Sequence, residues 1–190
     1  MSRFRLSDTL SVIAVGHARV PLSFVPPPAP TGVDAAYRAY SRYVATIAFR
    51  LLGREDEVDD IVQDVFLSAV DGLRALRDLE AVKGWLATVT VRIAMRKLRM
   101  RRVRFFLGLD SVVNYKNVAI GANQEQAALL ARVYRILDDV PAAERVAWVL
   151  RNVEGEPLES VATACSCSLA TAKRRITAAQ EKITRAVQDA

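Results

Sequence analysis

Seven basic residues and no acidic residue lie between Arg92 and Arg104. At helical spacing they form two stripes, one of Arg92, Arg96 and Arg99 and one of Lys97, Arg101 and Arg104. Like charges this close repel each other unless an anion lies beside them, and a phosphate backbone supplies that anion. Trp85 continues the first stripe towards the N-terminus, where it suits stacking on unpaired bases or, alternatively, filling the core. The pattern predicts a nucleic-acid-binding helix.

A second basic group follows a helix-turn-helix pattern near the C-terminus. A short apolar helix around Val161 leads into a tight turn at Cys165–Cys167, and Ser168 is a suitable N-cap for the next helix. Small Ala162 suits a close helix crossing, with Ala172 and Ile176 facing inward. The exposed start of the second helix then carries the candidate DNA contacts Ser168, Thr171, Lys173, Arg174 and Arg175. A recognition helix meets bases and phosphates at that position.

An acidic stretch between Arg54 and Asp64 contains six acids and one base. Four residues share one line at helical spacing, away from the apolar stripe, namely Asp56, Asp60, Gln63 and Leu67. One interpretation is a solvated helix start, where carboxylates are favoured by the helix dipole. Gln63 and Leu67 among the acids favour instead a protein-docking face, which would also include Asp64.

Residues suited to catalysis or metal binding are scarce, because the chain has two cysteines and one histidine. These numbers exclude a disulfide framework and an all-protein Cys/His zinc site. Cys165 and Cys167 are best explained as small turn residues, with a thiol redox role as the alternative. Without a nucleophile and base pair, a metal-ligand set or a phosphate-binding loop, we expect no enzyme activity, no metal and no cofactor.

The elements that must position these residues are helical almost throughout. Apolar residues recur at helical spacing from Asp34 to about Arg104 and again from Gln124. Breaks are expected at Gly53, 72–80, 138–141, 154–157 and 165–167. The pattern predicts an all-α fold of two small helical modules, 33–104 and 124–190, joined by a flexible linker at 105–123. Residues 1–32, with five of the seven prolines between Pro21 and Pro30, predict a proline-rich extension.

The overall balance of 27 basic and 21 acidic residues gives a net charge of +6 over 190 residues. The longest uncharged stretches are too short, too proline-rich or too polar to span a bilayer, and the apolar run Leu10–Val15 is too short for a signal peptide. We therefore expect a soluble, cytoplasmic protein without membrane insertion. The separation of acidic and basic segments predicts two partner surfaces, one of them polyanionic.

Two of these segments resemble signatures of one family. Residues Glu57–Phe66 (EVDDIVQDVF) resemble the DAEDLVQEVF signature of region 2 of bacterial sigma factors, and Trp85-Leu86 resembles the WL that follows it. Residues Ser168–Ile176 (SLATAKRRI) are similar to the S-x-G-T-V-K-S-R-L of region 4. With regions 2 and 4 and a short linker, the chain resembles an extracytoplasmic-function (ECF) sigma factor of the sigma-70 family.

This resemblance implies a transcription initiation factor that binds core RNA polymerase, recognises the −10 and −35 promoter elements and helps to melt the DNA. The acidic line, with Asp64, would contact the β′ clamp, and region 4 the β flap. The loop 72–84 and the basic helix, with Trp85, Arg92, Arg96, Lys97, Arg99 and Arg101, would hold the −10 element. Residues Thr171 and Lys173–Arg175 would read the −35 element. An anti-sigma factor is a further expected partner.

Some positions depart from the family pattern. Arg92 and Arg96 stand where many members have Asn and another polar residue, so phosphate contact is favoured there over base reading. Ser166 stands where glycine is usual in the region 4 turn. The residues themselves leave two alternatives: a helix-turn-helix regulator that acts without polymerase, and a helical protein-interaction adaptor. The first does not explain the acidic line, and the second leaves the basic groups unused.

Overall fold

The computed structural model describes residues 32–75, 81–109 and 124–188, and every regular element in these ranges is a helix. The N-terminal module contains α1 (Val33–Leu52), a 3-10 turn (Glu55–Glu57), α2 (Val58–Ala75) and α3 (Val82–Phe106). The C-terminal module contains α4 (Gln124–Asp138), α5 (Ala142–Asn152), α6 (Leu158–Ala164) and α7 (Leu169–Gln188). The predicted all-α fold is confirmed.

The three helices of the N-terminal module pack together through their apolar stripes. Val44 on α1, Ile61 and Val65 on α2 and Leu86 on α3 are fully buried. α1 ends where Gly53 takes a left-handed conformation with φ 69°, which glycine adopts without the Cβ penalty of other residues. The predicted stop at this glycine is therefore confirmed.

The C-terminal module is built around Trp148 of α5, which is completely buried. Its indole Nε1 donates a hydrogen bond of 2.7 Å to Oε1 of Gln180 on α7. Ala172 is also fully buried and Ala162 nearly so, as predicted for the close approach of α6 and α7. The long α7 is thereby fixed on α5 and α6, with its N-terminal end towards solvent.

The helix limits differ little from the predictions. α3 ends at Phe106, two residues beyond the expected Arg104. Residues 110–123 of the predicted linker and residues 1–31 of the proline-rich extension lie outside the described residues, as do residues 76–80 of the predicted loop 72–84. The rest of that predicted loop is helical at 72–75, in α2, and at 82–84, in α3.

The two modules also pack against each other. α5 contacts α1 and α3, and α6 contacts α3. The buried apolar residues of both modules form one continuous core, and the sequence analysis made no prediction about this contact.

Candidate nucleic-acid and protein interfaces

The predicted acidic line lies on the outer face of α2. Asp60, Gln63 and Leu67 are exposed, and Leu67 retains 62% of its accessible surface. Asp56 lies before α2, in the 3-10 turn, where Arg54 Nε donates a hydrogen bond of 3.0 Å to its Oδ1. This hydrogen-bonded partner lowers the pKa of the Asp56 carboxyl. The first member of the predicted line is thus held by a neighbouring arginine in the 3-10 turn, before α2 begins.

An apolar groove runs beside the acidic line, between α1 and α2. Tyr37 is 48% exposed. Its ring meets Phe66 edge to face at 4.9 Å between centroids, and Leu67 lines the same groove. Exposed apolar side chains beside carboxylates are typical of a protein-docking surface.

The two basic stripes of α3 differ in their surroundings. Arg92, Arg96 and Arg99 are exposed, as predicted for a face that meets phosphates. Arg101, in the second stripe, retains only 11% of its side-chain surface, because its Nη2 bonds Glu57 Oε2 at 2.8 Å. Arg101 therefore joins α3 to the 3-10 turn, and its side chain is not presented to a ligand.

The acidic and basic surfaces, predicted to be separate, are neighbours in the fold. Lys97 Nζ lies 3.0 Å from Asp60 Oδ2, and Arg96 Nη2 lies 3.8 Å from Asp64 Oδ2. α2 and α3 pack side by side, so residues about 35 positions apart in sequence pair on adjacent faces. The two predicted surfaces are therefore adjacent on α2 and α3, and exposed ion pairs join them at these residues.

Trp85 occupies the contact between α2 and α3. The ring packs on Gly72, where an added Cβ would overlap it, and the residue is half-buried. Val89, on the same stripe, is buried. The stripe therefore passes from the core at its N-terminal end to solvent from Arg92 onwards.

The start of α7 has the capping geometry that the sequence predicted. The backbone N–H of Thr171 donates to Ser168 Oγ at 3.2 Å, and the two hydroxyl groups lie 2.9 Å apart. Lys173 and Arg174 are exposed, and Arg175 is half-exposed. Within the described part of the chain, Lys173 and Arg174 form no ion pair. The N-terminal end of α7 thus presents cations that are available to a ligand.

The turn before α7 explains the residue types found there. Ser166 is the one non-glycine residue with positive φ, 50°, in the described ranges. Cys165 is buried, and this burial raises the pKa of its thiol to about 11. Such a thiol is protonated at neutral pH and is a poor nucleophile. Cys167 is half-exposed and forms no disulfide.

Sequence reasoning missed the polar contact between the modules. Arg145 of α5 is 1% exposed and donates to the carbonyl oxygens of Leu51 and Leu52, each at 2.9 Å. Arg50 of α1 forms an ion pair with Glu154. The sequence did contain a signal for this contact. Arg50 lies seven residues after Tyr43, on the buried side of α1, and a charged side chain buried there requires a buried partner.

The described ranges contain no group of three or more His, Cys, Asp or Glu residues that could hold a metal ion. No helix in the described part of the chain is both long and apolar enough to span a membrane.

Comparisons with known proteins agree with this geometry. Residues 36–104, from α1 almost to the end of α3, match the family model for Sigma-70 region 2. The probable ECF RNA polymerase sigma factor SigI of Mycobacterium tuberculosis is 29% identical over 160 residues, covering 80% of this chain and 54% of SigI. The ECF sigma-E factor of Escherichia coli is 27% identical over 164 residues, covering 78% and 83% of the two chains.

The chain is thus similar to ECF sigma factors, and its residues 36–104 match Sigma-70 region 2. It spans about half the length of the SigI relative that it matches. Its fold is similar to that of the sigma factor RpoE of Bartonella quintana, solved in complex with the anti-sigma factor NepR, with a TM-score of 0.61 and 22% identity. That likeness covers 82% of this chain and 96% of RpoE, and so includes helices of both modules.

Proposed function

We propose that this chain is an ECF sigma factor, which binds core RNA polymerase, directs it to −10 and −35 promoter elements and helps to melt the DNA. The observation that carries the proposal is the outer face of α2, where Asp60, Gln63 and Leu67 stand exposed within the segment that matches Sigma-70 region 2. Burial of the opposite face of α2 fixes the orientation of these side chains.

The polymerase surface consists of the acidic line and the adjoining groove. Asp60 and Asp64 supply negative charge for a basic partner, while Gln63 offers an amide and Leu67 an apolar anchor. Asp56 extends the surface from the 3-10 turn. Carboxylates at the rim steer the partner, and the buried apolar centre supplies most of the affinity. The partner surface would be the β′ clamp, with the β flap contacting the C-terminal module.

The −10 element would bind along α3. Exposed Arg92, Arg96 and Arg99 suit phosphate contact, since guanidinium groups bind phosphate oxygens in a bidentate manner. Lys97 and Arg101 would also contact phosphates, once Lys97 is released from Asp60 and Arg101 from Glu57. Unstacking a base costs a few kcal/mol, which such contacts offset. Trp85, half-buried against α2, would support the bound strand at the N-terminal end of the stripe.

The −35 element would bind at the start of α7. Thr171, Lys173 and Arg174 stand on the exposed first turns, beside Ser168 and Arg175. In the major groove, Lys and Arg contact guanine edges and phosphates, and the dipole of the helix N-terminus also favours phosphate.

The remaining expectations follow from this function. The sigma factor would act in the cytoplasm, without catalysing a reaction itself, and an anti-sigma factor would be a further partner. Region 2 would correspond to 33–104, the linker to 105–123 and region 4 to 124–190, with 1–32 as an extension.

The test is run-off transcription from a genomic promoter library with core polymerase and the purified chain. We expect specific transcripts that require the chain, and loss of core binding in the double variant Asp60→Ala and Gln63→Ala. Glu159→Ala is the control, because Glu159 is an exposed carboxylate on α6, outside α2 and its groove. A folded wild-type chain that yields no transcript from any promoter would overturn the proposal.

A further inference from the structure

The groove between α1 and α2 exposes three large apolar side chains. Tyr37, Leu67 and Val70 retain 48%, 62% and 39% of their accessible surface, and all three line the groove. The ring of Phe66 meets Tyr37 edge to face, so aromatic rings form part of the groove surface. An exposed apolar patch with a polar rim is typical of a binding site.

The rim of the groove is acidic. Asp59 lines it near the N-terminal end of α2, and Asp60 is the next residue, on the acidic line. Asp60 is paired with Lys97, whereas the described residues place no cation in ion-pair contact with Asp59. The groove therefore suits a ligand that combines apolar contact surface with positive charge.

The described chain begins at the edge of this groove. α1 starts at Val33, which lines the groove. Because α1 and α2 are joined by only a few residues, they run in opposite directions, and Val33 lies towards the Val70 end. Gly32, just before α1, has a φ of 103°, which glycine adopts readily, so the chain can turn sharply there. The residues before Gly32 are thus attached within reach of the groove.

The sequence before Gly32 has the composition that such a groove would bind. Residues 20–31, here called the proline segment, carry no charged side chain and include the run Pro26–Pro30 (PPPAP). Arg19 stands directly before the segment. Among residues 1–19 the basic side chains outnumber the acidic ones, with Arg3, Arg5 and Arg19 against Asp8. The charge is therefore opposite to that of the rim.

The expected dimensions of the proline run match those of the groove. A proline-rich run favours the polyproline II helix, which binds aromatic-lined grooves at a low entropic cost because it is preformed. Pro26–Pro30 would span about 15 Å in that helix, and α2 rises about 17 Å between Asp59 and Val70. Attachment at Gly32 also raises the effective concentration of the run at the groove to the millimolar range.

We propose that in the free chain the proline segment binds the groove between α1 and α2, with the proline run on the rings of Tyr37 and Phe66. The run enters at the Val70 end and places Arg19 beyond Asp59, towards the acidic 3-10 turn. The same groove belongs to the proposed polymerase surface, so the segment and the polymerase compete for it. This competition rests on the proposed function, but binding of the segment does not.

The first test is photo-cross-linking of the full chain without polymerase. p-Benzoylphenylalanine in place of Val70, at the edge of the groove, should cross-link within one chain to residues 20–31. Fragmentation of the cross-linked peptide must place the new bond before Gly32, because Tyr37 is close to the groove in any case. The same amino acid in place of Val103, an exposed apolar residue on α3, is the control and should not cross-link to the segment. Absence of the cross-link from Val70, or its formation between two chains only, would overturn the proposal.

A second variant separates recognition from tethering. Pro26→Ser, Pro27→Ser, Pro28→Ser and Pro30→Ser together keep the length of the segment and remove its preference for the polyproline helix. The yield of the cross-link should fall at least tenfold. Pro21→Ser, outside the run, should retain it. An unchanged yield in the fourfold variant would overturn recognition of the proline run, because the tether alone would then bring the segment to Val70.

The third measurement is affinity for core polymerase, with biolayer interferometry on the immobilised enzyme. If the segment occupies the groove most of the time, the fourfold variant should bind about three- to tenfold more tightly than wild type, with Pro21→Ser unchanged. Loss of the cross-link without a gain in affinity would overturn the competition. Failure of every variant to bind polymerase would count against the proposed function alone, since cross-linking decides the binding of the segment independently.

Discussion

The two basic helices, α3 and α7, carry similar charges in different electrostatic surroundings. On α3, Lys97 and Arg96 are paired with Asp60 and Asp64 of the neighbouring helix. On α7, Lys173 and Arg174 project into solvent, and the described residues place no carboxylate in ion-pair contact with them.

This difference shows that clusters of cations equally evident in sequence are not equally available to DNA. Under the proposed function, DNA binding at α7 needs only the release of counterions, whereas full use of α3 also requires that its carboxylate partners be given up or neutralised. A basic partner on the acidic line would do this. Polymerase binding and −10 binding are thus expected to assist each other.

The largest expected effect concerns α7. Replacing Lys173 and Arg174 together by alanine should weaken binding of the chain to promoter duplex about 10- to 100-fold and reduce the salt slope. Fluorescence anisotropy at several salt concentrations measures both. Arg185→Ala, an exposed cation near the other end of α7, is the control. If both variants lost the same affinity for promoter duplex, α7 would attract DNA by charge alone, and its N-terminal end would not be presented to the duplex.

A pH effect tests the contact between α3 and the C-terminal module. Burial and the nearby Glu154 raise the pKa of Glu156 to about 6, while Lys83 of α3 acts against this rise. Lys83 itself lies over the Tyr43 ring, and Arg151 binds the Glu156 carbonyl. Because the pKa is higher in the folded chain, Glu156 contributes stability that is present below pH 4.5 and lost as the pH rises through about 6.

Glu156→Gln should therefore stabilise the chain at pH 7, by about 1 to 2 kcal/mol, and have little effect at pH 4. Thermal unfolding at the two pH values and constant ionic strength provides the measurement. A difference between wild type and variant that is equal at both pH values would show that Glu156 does not titrate in this window.

The turn that presents α7 should respond to Ser166→Gly. A left-handed residue with a Cβ costs about 1 kcal/mol relative to glycine, and Ser166 is exposed, so no packing is lost. The midpoint of thermal unfolding should rise by a few degrees. Ser168→Ala should shift it in the opposite direction by a similar amount, because it removes the N-cap of α7. A lower midpoint for Ser166→Gly would contradict the strained geometry.

The smallest effect addresses the pairing on α3. Asp60→Asn with Asp64→Asn should free Lys97 and Arg96 and raise the affinity of the chain alone for DNA two- to fivefold, since exposed ion pairs contribute less than about 1 kcal/mol. The double variant Asp59→Asn and Asp71→Asn makes the same change of net charge on α2. If both double variants bind DNA equally, net charge and not the release of Lys97 and Arg96 explains the gain.

Local features were predictable because they depend on neighbours in sequence. The apolar spacing around Ile61 and Val65, the stop at Gly53 and the cap at Ser168 each follow from helix geometry. The exposure of Tyr37 was not predictable, because periodicity gives the side of a helix but not how far the neighbouring helix extends over it. Asp56 was placed on α2 for a similar reason, since helix starts are defined by caps and no strong one precedes Val58.

The sequence by itself determined the helices, their buried faces and the residue types offered to partners, because these depend on a period of 3.6 residues and on side-chain chemistry. Only the tertiary structure decided which charges meet. Asp60 and Lys97 are 37 residues apart, and Arg50 and Glu154 are 104 apart. Electrostatic interactions act over a few ångströms, so these pairs exist once the helices are packed, and no local pattern records them.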